Sequence, residues 1–376
     1  MIKLLPEVCK IQYGFAFNSK KFSTDKGIPL VRIRDVVRGY SETYTTEECG
    51  KEYSVDNGDM LVGMDGEFNV ARWNGGKAWL NQRVCKLIPN EEIDAGYLFY
   101  FMPSALKAIE AKTSFVTVKH LSAKELNKIQ VPVPMIQEQH KIATVLDKVT
   151  SLIIARKKQL AKLDELVKAR FVEMFGDPVA NDKGWIRMPI EETCRTIVDC
   201  PHSTPSYTTE DTGYMCIRTS IVKKNMILWD EIEYIPEDEF VKRIQRKKPE
   251  VGDIVYTREG AILGIAAIID RECNVALGQR SMLLSPDRDK CISEFLCIAM
   301  NCDSFLDNAL KGVAGSASPH INVGDIKAFK MIMPPVDLQK QFAVFVNQVD
   351  QSKAVVQKAL DKAQLLFDSL MQEYFG

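Results

Sequence analysis

Residues 131–146 read VPVPMIQEQHKIATVL, and residues 331–346 read MIMPPVDLQKQFAVFV. The stretches lie 200 residues apart, and Gln139 falls on Gln339 as Ala143 falls on Ala343. Each turns from a Pro-containing apolar run into a long helical pattern. Residues 137–175 hold no Pro and no Gly. Ile142, Val145, Val149, Leu152, Arg156, Leu160, Leu163, Val167, Arg170 and Met174 step by three and four, and Phe342, Phe345, Val349, Val356, Ala359, Ala363, Leu366, Leu370 and Tyr374 repeat the stripe. That spacing predicts two long amphipathic helices. About 39 residues at 1.5 Å each give roughly 60 Å. A helix of that length is longer than a globule needs, which predicts a coiled coil between the two copies.

Outward from these segments the duplication continues in order. FVEMFG (171–176) matches MQEYFG (371–376), and Lys119-His120-Leu121 matches Pro319-His320-Ile321. Asn81-Gln82-Arg83 lies over Gly278-Gln279-Arg280, Gly58–Val62 over Gly252–Tyr256, and Gly27–Arg32 over Gly213–Arg218. The offset shrinks toward the start of each half, as loop insertions make it. The remainder of each half alternates short β-like runs with helical stretches. Leu30–Ile33, Met60–Val62, Val84–Ile88 and Val131–Val133 are bounded by turn formers, as are Tyr214–Ile217, Ile254–Tyr256, Gly264–Ile269 and Ser281–Leu284. Helices are predicted at Tyr97–Ile109, capped or bent at Pro103, and at Ser293–Asn301.

The expected fold is α+β: two tandem globules with mixed, mainly antiparallel sheets, and two long helices forming an antiparallel coiled coil about a pseudo-two-fold. The divisions are 1–135, 136–176, 177–335 and 336–376. The antiparallel sense follows from reach. The first long helix stops at Gly176-Asp177-Pro178, and the second globule begins near Gly184-Trp185. A connector of about eight residues spans at most ~28 Å. Parallel helices would require it to span the whole helix length. Antiparallel pairing leaves one globule at each end.

Composition sets the bounds. At ~100–200 residues per domain, 376 residues make two or three domains. Lys and Arg number 49 and Asp and Glu 50, so total charge does not drive nucleic-acid binding, and local patches must. The halves differ: residues 1–176 carry 26 basic against 21 acidic groups, a net of +5, and residues 177–376 carry 23 against 29, a net of −6. Ten cysteines include no C-x-x-C pair, which reads as reduced, mostly buried cytosolic thiols. A zinc site at Cys194, Cys200 and His202 is the alternative, short of a fourth ligand. No signal peptide and no membrane span is expected.

Two similar heads at a fixed separation suit a target with two fixed half-sites, such as DNA. Here the sequence resembles the specificity subunits of type I restriction–modification systems, over its whole length. The resemblance is carried by Pro132-Val-Pro-Met-Ile-Gln-Glu-Gln139 with Ile142-Ala143 and Leu146-Asp147, by Pro334-Pro335-Val-Asp-Leu-Gln339, and by Met174-Phe-Gly-Asp-Pro178 with Gly184-Trp185. The second copy lacks the Glu and has Asn347 where the first has Asp147.

The resemblance implies that each globule is a target recognition domain reading one half of a bipartite double-stranded DNA sequence. It implies that the helices set the spacer and dock two methyltransferase (modification) subunits, and that restriction (translocase and nuclease) subunits join. S-adenosylmethionine, ATP and Mg are then expected in those partners, with no cofactor or metal in this cytoplasmic chain. The sequence itself shows no Gly-rich cofactor loop after a strand, no amino-methylation motif and no G-x-x-x-x-G-K-[ST] loop. The chain is expected to be non-catalytic.

The expected DNA contacts are Gln82, Arg83, Arg72, Lys119, His120, Arg258, Gln279, Arg280, Ser318, His320 and Asn322. Arg suits guanine O6/N7 and Gln or Asn suits adenine N6/N7, while phosphate contacts only position the protein. The Gln-Arg pair recurs before a β-run in each half. Asp65-Gly-Glu-Phe-Asn69 with Arg72, and Thr257-Arg258-Glu-Gly260, form the loop after the Gly-Asp strand. The bland reading of these residues is strand buttressing, and of Ser122 and Asn322 helix capping. Lys20-Lys21, Arg32-Arg34 and Lys242-Arg243 with Arg246-Lys247-Lys248 read as phosphate clamps or as solvated charge. Rival functions are a methylation-only phage-defence complex, a two-headed protein-binding scaffold, and a self-contained nuclease built near Pro286-Asp287 and Lys290.

Overall fold

The computed structural model describes residues 1–112, 120–311, 313 and 319–376. The chain divides into two compact units. The first joins residues 1–157 to residues 358–376, and the second holds residues 158–357. The long helices run Ile136–Phe175 and Val336–Phe375, 40 residues each. The division therefore cuts each helix, giving its first part to one unit and its last part to the other. The ends of both helices supply the cores.

Each unit repeats one plan. In the first, an antiparallel sheet runs in the order Cys9–Tyr13, Val84–Pro89, Met60–Gly63, Asn69–Arg72. In the second the order is Cys194–Asp199, Ser281–Pro286, Ile254–Thr257, Ala266–Ile268. A parallel pair sits beside each: Ile28–Val31 with Ala78–Leu80, and Met215–Ile217 with Val275–Leu277. An antiparallel ladder then leads into each long helix, Ile2–Leu4 with Gln130–Pro132 and Ile186–Pro189 with Lys330–Met333. The architecture is α+β with mainly antiparallel sheets.

The central strands are apolar on both faces because both faces are covered. Met60, Val62, Cys85 and Leu87 join the helices in one core, while Leu61 and Val84 join Trp73 and Leu80 in another. In the second unit Ile254, Tyr256, Met282 and Leu284 face the helices, and Val255 and Leu283 face the smaller sheet. The alternation is the two-residue period of a strand.

Inside the second unit, Lys353 pairs with Asp164 at 2.6 Å, Arg170 lies over Phe345, and Phe171 meets Phe342 at 5.6 Å between centroids. Rising numbers on one helix meet falling numbers on the other, so the pair is antiparallel. The first unit agrees. Ile142, Ala143 and Leu146, near one helix start, share a core with Phe367, Leu370, Met371 and Tyr374, near the other helix end. The inward positions follow a regular three-four alternation on both helices. Two residues of the expected stripe are displaced. Leu152 is half exposed and Ile153 takes its place; Leu366 is half exposed and Phe367 points inward.

The repeated Phe-Gly at each helix end closes a core. Phe175 meets Phe295 at 4.9 Å and Phe342 at 5.3 Å, and Phe375 meets Tyr97 at 5.2 Å. Gly176 then turns out of the helix at φ +74°, a conformation that costs a side chain but not glycine. Gln139 and Gln339 are fully buried and make the same bonds twice. Gln139 accepts from the Asp94 N–H at 2.8 Å and donates to the carbonyls of Glu92 and Pro134. Gln339 accepts from Ile292 N–H at 2.9 Å and donates to the carbonyls of Lys290 and Pro334.

The helix that contains Pro103 is not capped there. Ala95–Lys112 runs unbroken through Pro103, whereas its counterpart is split into Ser293–Asn301 and Asp303–Ala309 around Cys302. Proline removes one N–H from the ladder, and the buried face of Tyr97, Leu98, Phe101, Met102 and Leu106 holds the helix across it.

Candidate nucleic-acid interface

At the same place in both units an arginine sits in the left-handed backbone region: Arg83 at φ +72° and Arg280 at φ +74°. Arg83 is the third residue of the turn Asn81-Gln82-Arg83-Val84, closed by the Val84 N–H on the Asn81 carbonyl at 3.2 Å. Glycine or asparagine ordinarily fills such a position, because a Cβ there costs ~1–2 kcal/mol. The strain is carried twice, by the same residue type.

The surrounding frame is also repeated. The Met64 N–H bonds the Arg83 carbonyl at 2.9 Å, and the Leu121 N–H bonds Met64 at 2.7 Å. The Arg258 N–H bonds the Arg280 carbonyl at 3.0 Å, and the Ile321 N–H bonds Arg258 at 2.8 Å. Asp65 bridges His120 and Glu259 bridges His320 through the backbone. Each unit therefore collects one acid, one arginine and one histidine from three separate loops. In the first unit, Arg83 Nη1 lies 3.1 Å from His120 Nδ1, Arg83 Nε lies 3.5 Å from Asp65, and His120 Nδ1 lies 2.5 Å from Asp65 Oδ1. All three are partly open to solvent, Arg83 at 54% of its side chain.

The second unit differs at a buried pair. Arg258 occupies the place of Met64, and Asp199 the place of Tyr13. Tyr13 and Met64 pack in one apolar core. Arg258 and Asp199 instead make a two-toothed ion pair, Nε to Oδ1 at 2.8 Å and Nη2 to Oδ2 at 3.3 Å, with Arg258 only 6% exposed. Arg258 also draws Glu259 to 2.7 Å. Glu259 is thus turned away from the arginine its counterpart Asp65 holds. Arg280 stays exposed beside Gly260, where a Cβ would fall 3.5 Å from its Nη1.

Of the expected contacts, the structure brings Arg83 and His120 together, while Arg280 and His320 share a frame through Arg258 and Glu259; Gln82 or Gln279 precedes each arginine. Gln82 is exposed, and Gln279 donates to Thr204 Oγ1 at 3.0 Å. Arg258 points inward, as its ion pair requires. Arg72 is also elsewhere, 4.6 Å over the Phe99 ring and 3.8 Å from Asp147 on the first long helix. Asn322 stands at the N-cap position of Val323–Ala328 without a side-chain capping bond and donates to Asp325, and Ser122 forms a capping box with Glu125. Bonds from the Ser122 N–H and hydroxyl hold the Glu125 carboxyl below its usual range. Lys119 and Ser318 lie outside the described residues.

The proposed phosphate clamps are largely engaged. Lys242 pairs with Asp238, Lys247 with Glu250 and Asp253, and Arg243 is fully buried. Cys194 and Cys200 lie at opposite ends of one strand region, and burial pushes both thiols up, Cys194 to about 11. Among the described residues no three His, Cys, Asp or Glu side chains gather to hold a metal, and no helix is long and apolar enough to cross a membrane.

Sequence reading missed Asp199 and Arg243 as organisers of the second site. The available signal was Arg258 standing where the other copy has Met64.

A family model described as type I restriction modification DNA specificity domain matches residues 1–165 and again 197–364. The EcoBI specificity subunit of Escherichia coli is 28% identical over 99% of this chain and 84% of its own length. The MjaVIII specificity subunit of Methanocaldococcus jannaschii is 23% identical over 89% and 85%. The crystal structure of the type I restriction–modification S subunit from M. genitalium superposes with a TM-score of 0.62 at 14% identity, covering 100% of this chain and 96% of that one. A chain of a type I R-M system, solved for complex assembly and conformational transition, gives 0.53 at 17%, covering 100% and 97%. With two matched segments spanning most of its length, the chain belongs to the type I restriction modification DNA specificity family.

Proposed function

We propose that this chain is the DNA-recognition subunit of a type I restriction–modification complex, each unit reading one half of a bipartite double-stranded target. The observation that carries the reading is the strained arginine built twice into one frame, with a histidine and an acid beside it. Strain kept at one backbone position is a signature of function. Arginine is the side chain best suited to guanine edges in the major groove. Arg83, Arg280, His120, His320, Gln82 and Gln279 are the contacts we assign, with Asp65 orienting Arg83.

The long helices supply the other half of the reading. Leu152, Ile154, Leu166 and Val172 on the first, and Val344, Val355, Leu365 and Leu366 on the second, are exposed apolar side chains. They leave apolar surface on both helices that a partner would cover. We assign it to two methyltransferase subunits, with restriction subunits completing the complex in the cytoplasm. Methyl transfer, ATP use and cleavage then belong to the partners, with their S-adenosylmethionine, ATP and Mg, and this chain contributes specificity. The helices set the spacer between half-sites.

The test is to express the chain with its methyltransferase genes and map methylated adenines in the host genome. The expected motif has two specified blocks separated by a fixed run of unspecified bases. One continuous block would contradict two reading heads. Inserting four residues near Leu160 should lengthen the spacer, and an unchanged spacer would remove the helices from that role.

A further inference from the structure

The second unit carries a loop that the first builds differently. Cys200 occupies the place of Gly14, since the Cys200 N–H bonds the Ser281 carbonyl as the Gly14 N–H bonds Val84. The offset of 186 is the one that lays Gly27 on Gly213. His202 therefore stands where the first unit has Ala16.

Three side chains hold this loop, Pro201–Pro205, in one shape. Arg243, with no side-chain exposure, donates to the Ser203 carbonyl at 2.6 Å and to the Leu277 carbonyl at 3.2 Å, while pairing with Glu239 at 2.7 Å. Gln279, beside Arg280, donates to Thr204. Asp199, fixed by Arg258, lies 3.2 Å from His202 Nε2. Burying a guanidinium is costly, and here it is spent on orienting a surface loop. That loop leaves the strand directly beside the strained Arg280 turn, and its His202 is 68% exposed.

We infer that His202 is a second base-reading residue of the second unit, with Arg243 and Asp199 as its positioning residues. The inference rests on the proposed DNA reading. His202 Nε2 lies 3.2 Å from Asp199 Oδ2, and we take the tautomer with Nε2–H toward that carboxylate, which makes Nδ1 the acceptor. The base group it takes is then an exocyclic amine, N6 of adenine or N4 of cytosine. The first unit has no such reader at this position, because alanine stands there.

The experiment compares His202→Ala and Arg280→Gly in the full chain assembled with its methyltransferase subunits, selecting bound duplexes from a random library. His202→Ala should relax one position about tenfold, in the half-site that Arg280→Gly relaxes, and leave the other half-site intact. At that position, a base analogue lacking the exocyclic amine should weaken the wild type about tenfold and H202A not at all. Arg243→Met should relax the same position, because the loop loses its anchor. If Arg280→Gly relaxes a half-site and His202→Ala changes neither, the inference falls and the DNA reading stands. If neither variant changes the motif, the DNA reading of this unit falls with it. Equal weakening of all sequences by H202A, with a shallower salt dependence, would make it a phosphate contact and overturn base reading.

Discussion

The two units are built on one frame and differ most sharply at one buried pair. Tyr13 and Met64 fill the place in the first unit that Asp199 and Arg258 fill in the second. An apolar pair leaves the neighbouring acid, Asp65, to hold the arginine and histidine at the surface. A charged pair captures that acid, as Arg258 captures Glu259, and leaves Arg280 exposed. A change beneath the surface redirects the polar groups above it without moving the strands.

Where the units agree, substitutions should act alike. Gln139→Leu and Gln339→Leu each leave one N–H and two carbonyls without their partner. At ~1 kcal/mol or more per buried group, each should cost about 3 kcal/mol in urea unfolding. A large cost in one unit only would break the equivalence of the helix entries.

Where they differ, Arg258→Met should lose roughly 2–4 kcal/mol, a range lowered because Asp199 keeps 18% exposure. The double change Asp199→Tyr with Arg258→Met copies the first unit's pair and should recover most of that loss. Losses that simply add would mean the pair is not a unit.

A smaller effect of opposite sign is expected at the strained turns. Arg83→Gly and Arg280→Gly should leave stability unchanged or raise it by up to ~1 kcal/mol, since relief of the left-handed backbone offsets the added chain freedom. A loss of stability in thermal unfolding would show that these arginines buttress the strands. Smallest of all, Lys353→Ala should cost ~0.2–0.5 kcal/mol, because its partner Asp164 is 63% exposed.

Most of the scaffold was legible in the chain. The long helices announce themselves because a three-four apolar spacing has one geometric meaning, and the duplication fixed which strands correspond. The exact seam was less legible: Leu152 and Ile153 are both apolar neighbours, and only packing selects Ile153. A cap or bend is expected at Pro103 because its local cost is visible in sequence, whereas the buried helix face that carries the helix through it is not. The site was half legible. The recurring Gln-Arg pair located the strained turns, yet nothing in the residue type revealed that Arg258 turns inward to Asp199 or that Arg72 turns to Phe99. Arginine at the end of a strand looks the same from sequence whether it faces solvent or a buried carboxylate.

The most direct measurement compares the methylation motifs produced by Arg83→Gly and Arg280→Gly complexes with that of the wild type. Two independent reading heads predict that each variant relaxes a different half of the bipartite sequence and leaves the other half and the spacer unchanged. Relaxation of the same half by both, or of both halves by either, would contradict the account.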